Sequence, residues 1–172
     1  MSLLEILIAL AVSVIALGGF VRSLASSQEA SEHDRQLGLA SEAGRQAMER
    51  LKGAAFDAVY SMYNADASDD GGGAVPGPAF DVDGLDPLPD DADGAVGRVA
   101  FPEMLVGGDW MLREDTVDPR IGMPRDLNAD GVIDAVDHSD DYRLLPVLVR
   151  VEWMSGSGPC RVEFKTVLNP VF

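Results

Sequence analysis

Cysteine and basic residues are scarce in this 172-residue chain, and each scarcity excludes a class of protein. The single cysteine, Cys160, cannot form an intrachain disulfide, so stability must come from packing, a metal ion or association with other chains. Thirteen Lys and Arg residues against 29 Asp and Glu give a net charge of −16. This balance excludes a nucleic-acid binder, because such proteins neutralise phosphates with cationic side chains.

Residue sets typical of enzymes are also missing. The chain has two histidines, His33 and His138, and it contains neither a glycine-rich phosphate loop nor a Gly-x-Ser-x-Gly motif. Nucleophilic and zinc catalysis therefore lack their usual residues, and we expect that the protein is not an enzyme. We expect His138 to be a surface residue.

The longest uncharged run lies at the N-terminus. Residues 1–20 read MSLLEILIALAVSVIALGGF, and the stretch 6–21 carries no charge. About 20 apolar residues cross a bilayer core, so this run is of membrane length, while the basic region of a secretory signal is absent. A carboxylate such as Glu5 costs roughly 2.5–3.5 kcal/mol near the bilayer centre, and it therefore requires a cation, of which an α-amino group is the nearest. A plain single-pass anchor and an uncleaved signal are the alternatives.

Residues 2–10, SLLEILIAL, resemble the start of a mature type IV pilin or pseudopilin. The resemblance implies that prepilin peptidase has removed a short leader, that Met1 is N-methylated, and that Glu5 pairs with the N-terminus of a neighbouring subunit during assembly. Met1 stands where phenylalanine is commoner, and Arg22 where many pilins have proline. The resemblance implies an α+β, type IV pilin-like fold, in which a long N-terminal helix packs on a small antiparallel sheet.

The first third of the chain has the pattern of one helix. Apolar residues recur at spacings of three and four, and no proline or strong turn signal interrupts residues 2–63. We predict one helix of about 60 residues, with a hydrophobic half (1–25) for the membrane or filament core and an amphipathic half (26–63). Gly18 and Gly19 are its weakest point.

Residues 64–94 are rich in Gly, Pro and Asp and contain no basic residue. This composition predicts a long acidic loop, with a second cation site as the alternative. Phe80, Val82 and Leu85 are the residues expected to attach its middle to the core.

Residues 95–172 are predicted to form a β-domain. Strand-like runs cover 96–106 and 109–117. The alternating residues of 147–153 and 161–166 predict a hairpin with a five-residue turn, and this pattern resembles the closing hairpin of many minor pilins and pseudopilins.

A calcium-type loop lies within this domain. Residues 126–137, DLNADGVIDAVD, have EF-hand spacing, with Gly131 at the sharp turn. The six predicted Ca²⁺ ligands are Asp126, Asn128, Asp130, the carbonyl of Val132, Asp134 and Asp137. Calcium suits six protein oxygens better than magnesium, which prefers to keep its waters. Aspartate at the last position resembles dockerin loops, although dockerins have two loops, and a turn that binds nothing is the alternative.

The expected function is that of a structural subunit of an extracellular type IV pilus or related filament. Its partners would be copies of itself or homologous pilins, prepilin peptidase and the assembly machinery. We expect it in the inner membrane before assembly and in a surface filament afterwards. A minor pilin or type II secretion pseudopilin is the alternative, and a membrane-anchored calcium-binding interaction module is the alternative from a different class.

Overall fold

The computed structural model describes residues 2–66, 68–69 and 75–170. These residues form two compact units, which divide between Leu37 and Gly38. The described elements are helices α1 (Leu3–Gly53) and α2 (Phe56–Tyr63) and strands β1 (Ala79–Phe80), β2 (Gly97–Ala100), β3 (Glu103–Val106), β4 (Asp109–Leu112), β5 (Leu145–Ser155) and β6 (Gly158–Leu168). A long N-terminal helix followed by an antiparallel sheet confirms the predicted α+β class and resembles a pilin-like fold.

The prediction of one continuous helix over residues 2–63 is wrong in its C-terminal part. Helix α1 is continuous through Gly18 and Gly19 but ends at Gly53, and the extended backbone of Ala55 separates it from α2. Glycine is a poor helix former, which favours an end at this point. The apolar periodicity does not reveal the break because Leu51 and Val59, on either side of it, are buried in the same core cluster.

The main sheet has the order β1-β2-β5-β6, and all its pairs are antiparallel. The predicted C-terminal hairpin is confirmed, and its valines at 147, 149 and 151 and Trp153 are almost fully buried. Its turn is shorter than the predicted five residues, because Ser155 already pairs with Gly158. Gly158 has φ 124°, a conformation that glycine adopts without steric cost.

The predicted strand over 96–106 is divided into two elements. Strand β2 pairs with β5, whereas β3 pairs with β4 in a separate two-stranded sheet. Pro102 lies between β2 and β3 and lacks the N–H that a continuous ladder requires. The strand predicted over 109–117 ends at Leu112, and Glu114, two residues further on, contacts the loop 126–137.

The described residues of the acidic segment 64–94 are largely irregular, as predicted, but Ala79–Phe80 adds strand β1 to the sheet. Leu85 is buried in a second core cluster, against which Phe80 and Val82 pack, so the expected attachment is confirmed. Asp70, one of the acidic residues of this segment, lies outside the described residues.

Within the C-terminal unit, the end of α1 packs closely on the sheet at Gly44. A Cβ atom at Gly44 would overlap the ring of Phe164 on β6. We predict that Gly44→Ala destabilises this unit by about 1–3 kcal/mol, because the ring must move out of its packed position. Gly38 of the same helix has open space around it, so Gly38→Ala is the matched control and is expected to stabilise by about 0.5–1 kcal/mol. Thermal unfolding of both variants checks the prediction, and equal shifts would contradict it.

Candidate functional site

The backbone of the loop 126–137 is held by its own acidic side chains. Asp126 accepts hydrogen bonds from the N–H groups of Ala129 (2.6 Å) and Gly131 (2.8 Å) through its two carboxylate oxygens. Asn128 Oδ1 accepts from Asp130 N at 3.0 Å, and Asp130 Oδ1 accepts from Val132 N at 2.8 Å. These bonds curl the chain around the side chains at positions 1, 3 and 5 of the predicted calcium loop.

Two residues of this loop adopt left-handed backbone conformations. Ala129 has φ 65° and Gly131 has φ 90°. This conformation costs an L-residue such as alanine roughly 1–2 kcal/mol. The two hydrogen bonds from these residues to the Asp126 carboxylate offset that cost, which explains how the loop keeps its sharp curvature.

The loop closes onto the end of β4 through Asp137, the predicted ligand at position 12. Asp137 Oδ1 accepts hydrogen bonds from Leu112 N at 3.0 Å and from Ser139 N at 3.1 Å. His138, the residue after Asp137, donates its backbone N–H to the Leu112 carbonyl at 2.9 Å. The C-terminal end of the loop is therefore fixed to a strand of the small sheet.

Glu114, two residues beyond β4, is a residue of the candidate site that sequence reasoning missed. Its side chain is fully buried, with a residue exposure of 0%. Oε1 accepts hydrogen bonds from Leu127 N (2.6 Å) and Asn128 N (3.2 Å), and Oε2 accepts from Asp134 N (3.2 Å). Because a buried carboxylate is costly unless hydrogen-bonded, these three bonds make Glu114 the internal support of the loop.

His138 is buried, with 4% exposure, so the expectation of a surface residue is wrong. Its Nδ1 lies 2.9 Å from Asp141 Oδ1, and its Nε2 lies 3.2 Å from Asp134 Oδ1 and 3.7 Å from Glu114 Oε2. Burial of the ring lowers the pKa of His138, but hydrogen bonds to Asp141 and Asp134 and the charge of Glu114 outweigh burial and raise it above its usual value. Packing against three carboxylates explains why the ring faces inward.

Glu114, Asp134 and His138 form a group that could hold a metal ion, since their ligand atoms all lie within 4.8 Å of one another. Asp134 is the one predicted calcium ligand in this group. The assignment of Asp126, Asn128, Asp130, the Val132 carbonyl and Asp137 as ligands stays a prediction. No local sequence pattern marks Glu114, and the position of His138 directly after the loop was the only signal for it.

The N-terminal unit contains a second candidate feature, the exposed apolar part of α1. Helix α1 is long and apolar enough to cross a membrane by length and composition, a property that signal sequences share. Side chains such as Leu3, Ile15 and Phe20 are exposed. Glu5 lies in this apolar part of α1 and is also exposed, whereas Met1 lies outside the described residues.

Comparison of the chain with protein families, with curated proteins and with solved structures finds no match. The function proposed below therefore depends on the chain's own residues and their geometry. The two features that carry it are the apolar helix with Glu5 and the loop 126–137 with its buried support.

Proposed function

We propose that this protein is a structural, non-catalytic subunit of an extracellular type IV pilus or related filament. The observation that carries the proposal is the exposed apolar part of α1, which contains Glu5 close to its start. A contiguous exposed apolar surface, such as the one that runs from Leu3 to Leu24, is typical of a site that contacts a membrane or another protein. A subunit that waits in the inner membrane and then joins a filament requires both contacts in turn.

Transfer from lipid into a filament core is physically reasonable for this helix. Lipid tails are as apolar as leucine, so helix association depends on close packing and on satisfied polar groups. Ala9, Ala11 and Gly18 are small and allow neighbouring helices to approach closely. Glu5 supplies the polar contact, because its carboxylate can pair with the amino group of Met1 on a neighbouring subunit.

The filament proposal is tested by immunogold electron microscopy of surface filaments, with antibodies raised against the β5–β6 hairpin. Label along the filaments is the expected result. Label restricted to a few positions would favour a minor pilin, and label on short periplasmic filaments a secretion pseudopilin. Recovery of the chain only in the membrane fraction, with no labelled filament, would overturn the proposal in favour of an anchored calcium-binding module.

We further propose that the loop 126–137 binds one Ca²⁺ ion, which stabilises the C-terminal unit. The support is the spacing of oxygen donors at alternating positions and the curvature that Ala129 and Gly131 give to the loop. Extracellular calcium modules bind with dissociation constants of about 10⁻⁴–10⁻³ M, which suits a surface filament. The ion would add a cross-link to a chain that has no intrachain disulfide.

Removal of calcium is predicted to lower the melting temperature of the full chain in detergent. At 10 mM calcium, about 10 to 100 times the dissociation constant, bound ion stabilises the folded state by about 1.4–2.7 kcal/mol. EGTA should remove this stabilisation, and added calcium should restore it. Asp126→Asn is the matched control, because its melt should respond weakly to either addition. An unchanged melt of the natural chain in EGTA would contradict the prediction.

A further inference from the structure

Three side chains from two segments converge at the calcium-type loop: Glu114 from the chain after β4, and Asp134 and His138 from the C-terminal part of the loop and the residue after it. His138 Nε2 lies 3.2 Å from Asp134 Oδ1 and 3.7 Å from Glu114 Oε2. The side chains of His138 and Glu114 are 5% and 1% exposed, whereas that of Asp134 is 39% exposed. The group is therefore closed on the protein side and open to solvent beside Asp134.

These separations fit a small, low-coordinate metal ion. Ligands at 2.0–2.1 Å from a tetrahedral ion lie about 3.3–3.4 Å from each other. The two distances from His138 Nε2 lie on either side of this value, and all three ligand atoms fall within 4.8 Å. An ion can therefore be accommodated by small side-chain movements, with water in the fourth position.

The donor set distinguishes this group from a calcium site. Calcium takes six to eight oxygen ligands, whereas one imidazole nitrogen with carboxylate oxygens is typical of zinc and similar borderline ions. The charge of the group also favours a divalent cation. The carboxylates of Glu114 and Asp134 beside a neutral imidazole carry two negative charges, which such an ion neutralises. In EF-hand loops the residue at position 9 often contacts calcium through a water molecule. Asp134 occupies position 9, so its carboxylate can coordinate this second ion while the loop binds calcium.

The surroundings of His138 match those of a metal-binding histidine. Such histidines donate their other ring N–H to a carboxylate, which fixes the tautomer and leaves the facing nitrogen free to coordinate. Here Nδ1 lies 2.9 Å from Asp141 Oδ1, and the Asp141 carboxylate also accepts a hydrogen bond from Asn128 Nδ2 at 3.2 Å. The Glu114 carboxylate is also held in place, because it accepts hydrogen bonds from three backbone N–H groups.

We propose that Glu114, Asp134 and His138 bind one Zn²⁺-class divalent ion, with Asp141 orienting the imidazole. This site goes beyond the proposed function, because it requires neither filament assembly nor calcium. The ion would fasten the segment after β4 to the C-terminal part of the loop, since its ligands are Glu114, Asp134 and His138. The competing arrangement is a metal-free ion pair between an imidazolium and the same carboxylates.

Cobalt titration of the full chain in detergent tests the site, with Co²⁺ as the coloured substitute for Zn²⁺ and excess calcium present to occupy the loop. We expect one equivalent to bind, with the visible absorption of a low-coordinate ion, and added Zn²⁺ to remove that absorption. His138→Gln should abolish the signal, and Asp141→Asn should weaken affinity about 10- to 100-fold. His33→Gln is the matched control, because His33 lies on the exposed part of α1, and it should leave binding unchanged.

Asp126→Asn separates this site from the calcium loop, since it should weaken calcium binding and leave the cobalt spectrum intact. The inference is overturned if cobalt does not bind stoichiometrically, if His138→Gln leaves the spectrum unchanged, or if Asp126→Asn removes it equally. Should His138→Gln fail to fold, proton NMR of the cobalt-loaded His33→Gln chain decides. A paramagnetically shifted imidazole N–H signal supports the site, and its absence overturns it.

Discussion

Replacing Glu5 by alanine is expected to abolish filaments containing this chain while leaving the protein in the membrane. Breaking a buried ion pair by removing one partner costs about 3–5 kcal/mol, because the remaining charge stays buried without compensation. In the proposed filament that charge is the Met1 amino group of a neighbouring subunit, and every subunit contact repeats the loss. Alanine is more compatible with lipid than glutamate, so membrane insertion should not suffer. Electron microscopy with membrane fractionation measures both outcomes.

Two further variants make the Glu5 prediction specific. Glu5→Gln keeps the size and removes the charge, so it should also prevent assembly. Glu29→Gln makes the same change on α1 outside the apolar run, at an exposed position, and should leave filaments intact. Normal filaments in both Glu5 variants would contradict the ion-pair role, even if immunogold labelling still identified the chain as a filament subunit.

The fold elements that the sequence predicted well are those determined by local pattern. Strict alternation along 147–153 and 161–166 specified the β5–β6 hairpin, because a period of two places one set of side chains on the buried face. The break after Gly53 was missed because tertiary packing buries residues on both sides of it. Periodicity reports which residues face the core, and it does not require that the backbone be continuous.

The candidate site was predictable only in its local part. The loop 126–137 was found from spacing, and the structure adds backbone hydrogen bonds that the carboxylates of Asp126 and Asp130 accept and that curl the loop. Glu114 comes 12 residues before the loop in a charged stretch that resembles any exposed segment. Its burial depends on how the chain after β4 folds beneath the loop, which no short-range pattern encodes.

Removal of the Glu114 carboxylate is expected to destabilise the C-terminal unit strongly. Glu114→Ala leaves the N–H groups of Leu127, Asn128 and Asp134 without their acceptor, and of these hydrogen bonds that of Leu127 is buried and the other two are partly buried. Unsatisfied buried donors cost about 1–3 kcal/mol each, and partial relaxation makes about 3–5 kcal/mol a reasonable total. For a unit of this size the melting temperature should fall by roughly ten degrees or more.

Thermal unfolding in EDTA measures this effect apart from any contribution of bound metal. Glu114→Gln should lie between the natural chain and Glu114→Ala, because its single amide oxygen can still accept some of these bonds. Asp115→Ala is the matched control next in sequence, since Asp115 is exposed and its carboxylate pairs only with Arg113 among the described residues. The Arg113 side chain is 15% exposed and that of Asp115 is 39% exposed, so loss of this one half-exposed ion pair should lower the melting temperature by less than Glu114→Ala does. If Glu114→Ala and Asp115→Ala melt at similar temperatures, the carboxylate does not support the loop, and the three hydrogen bonds contribute no net stability.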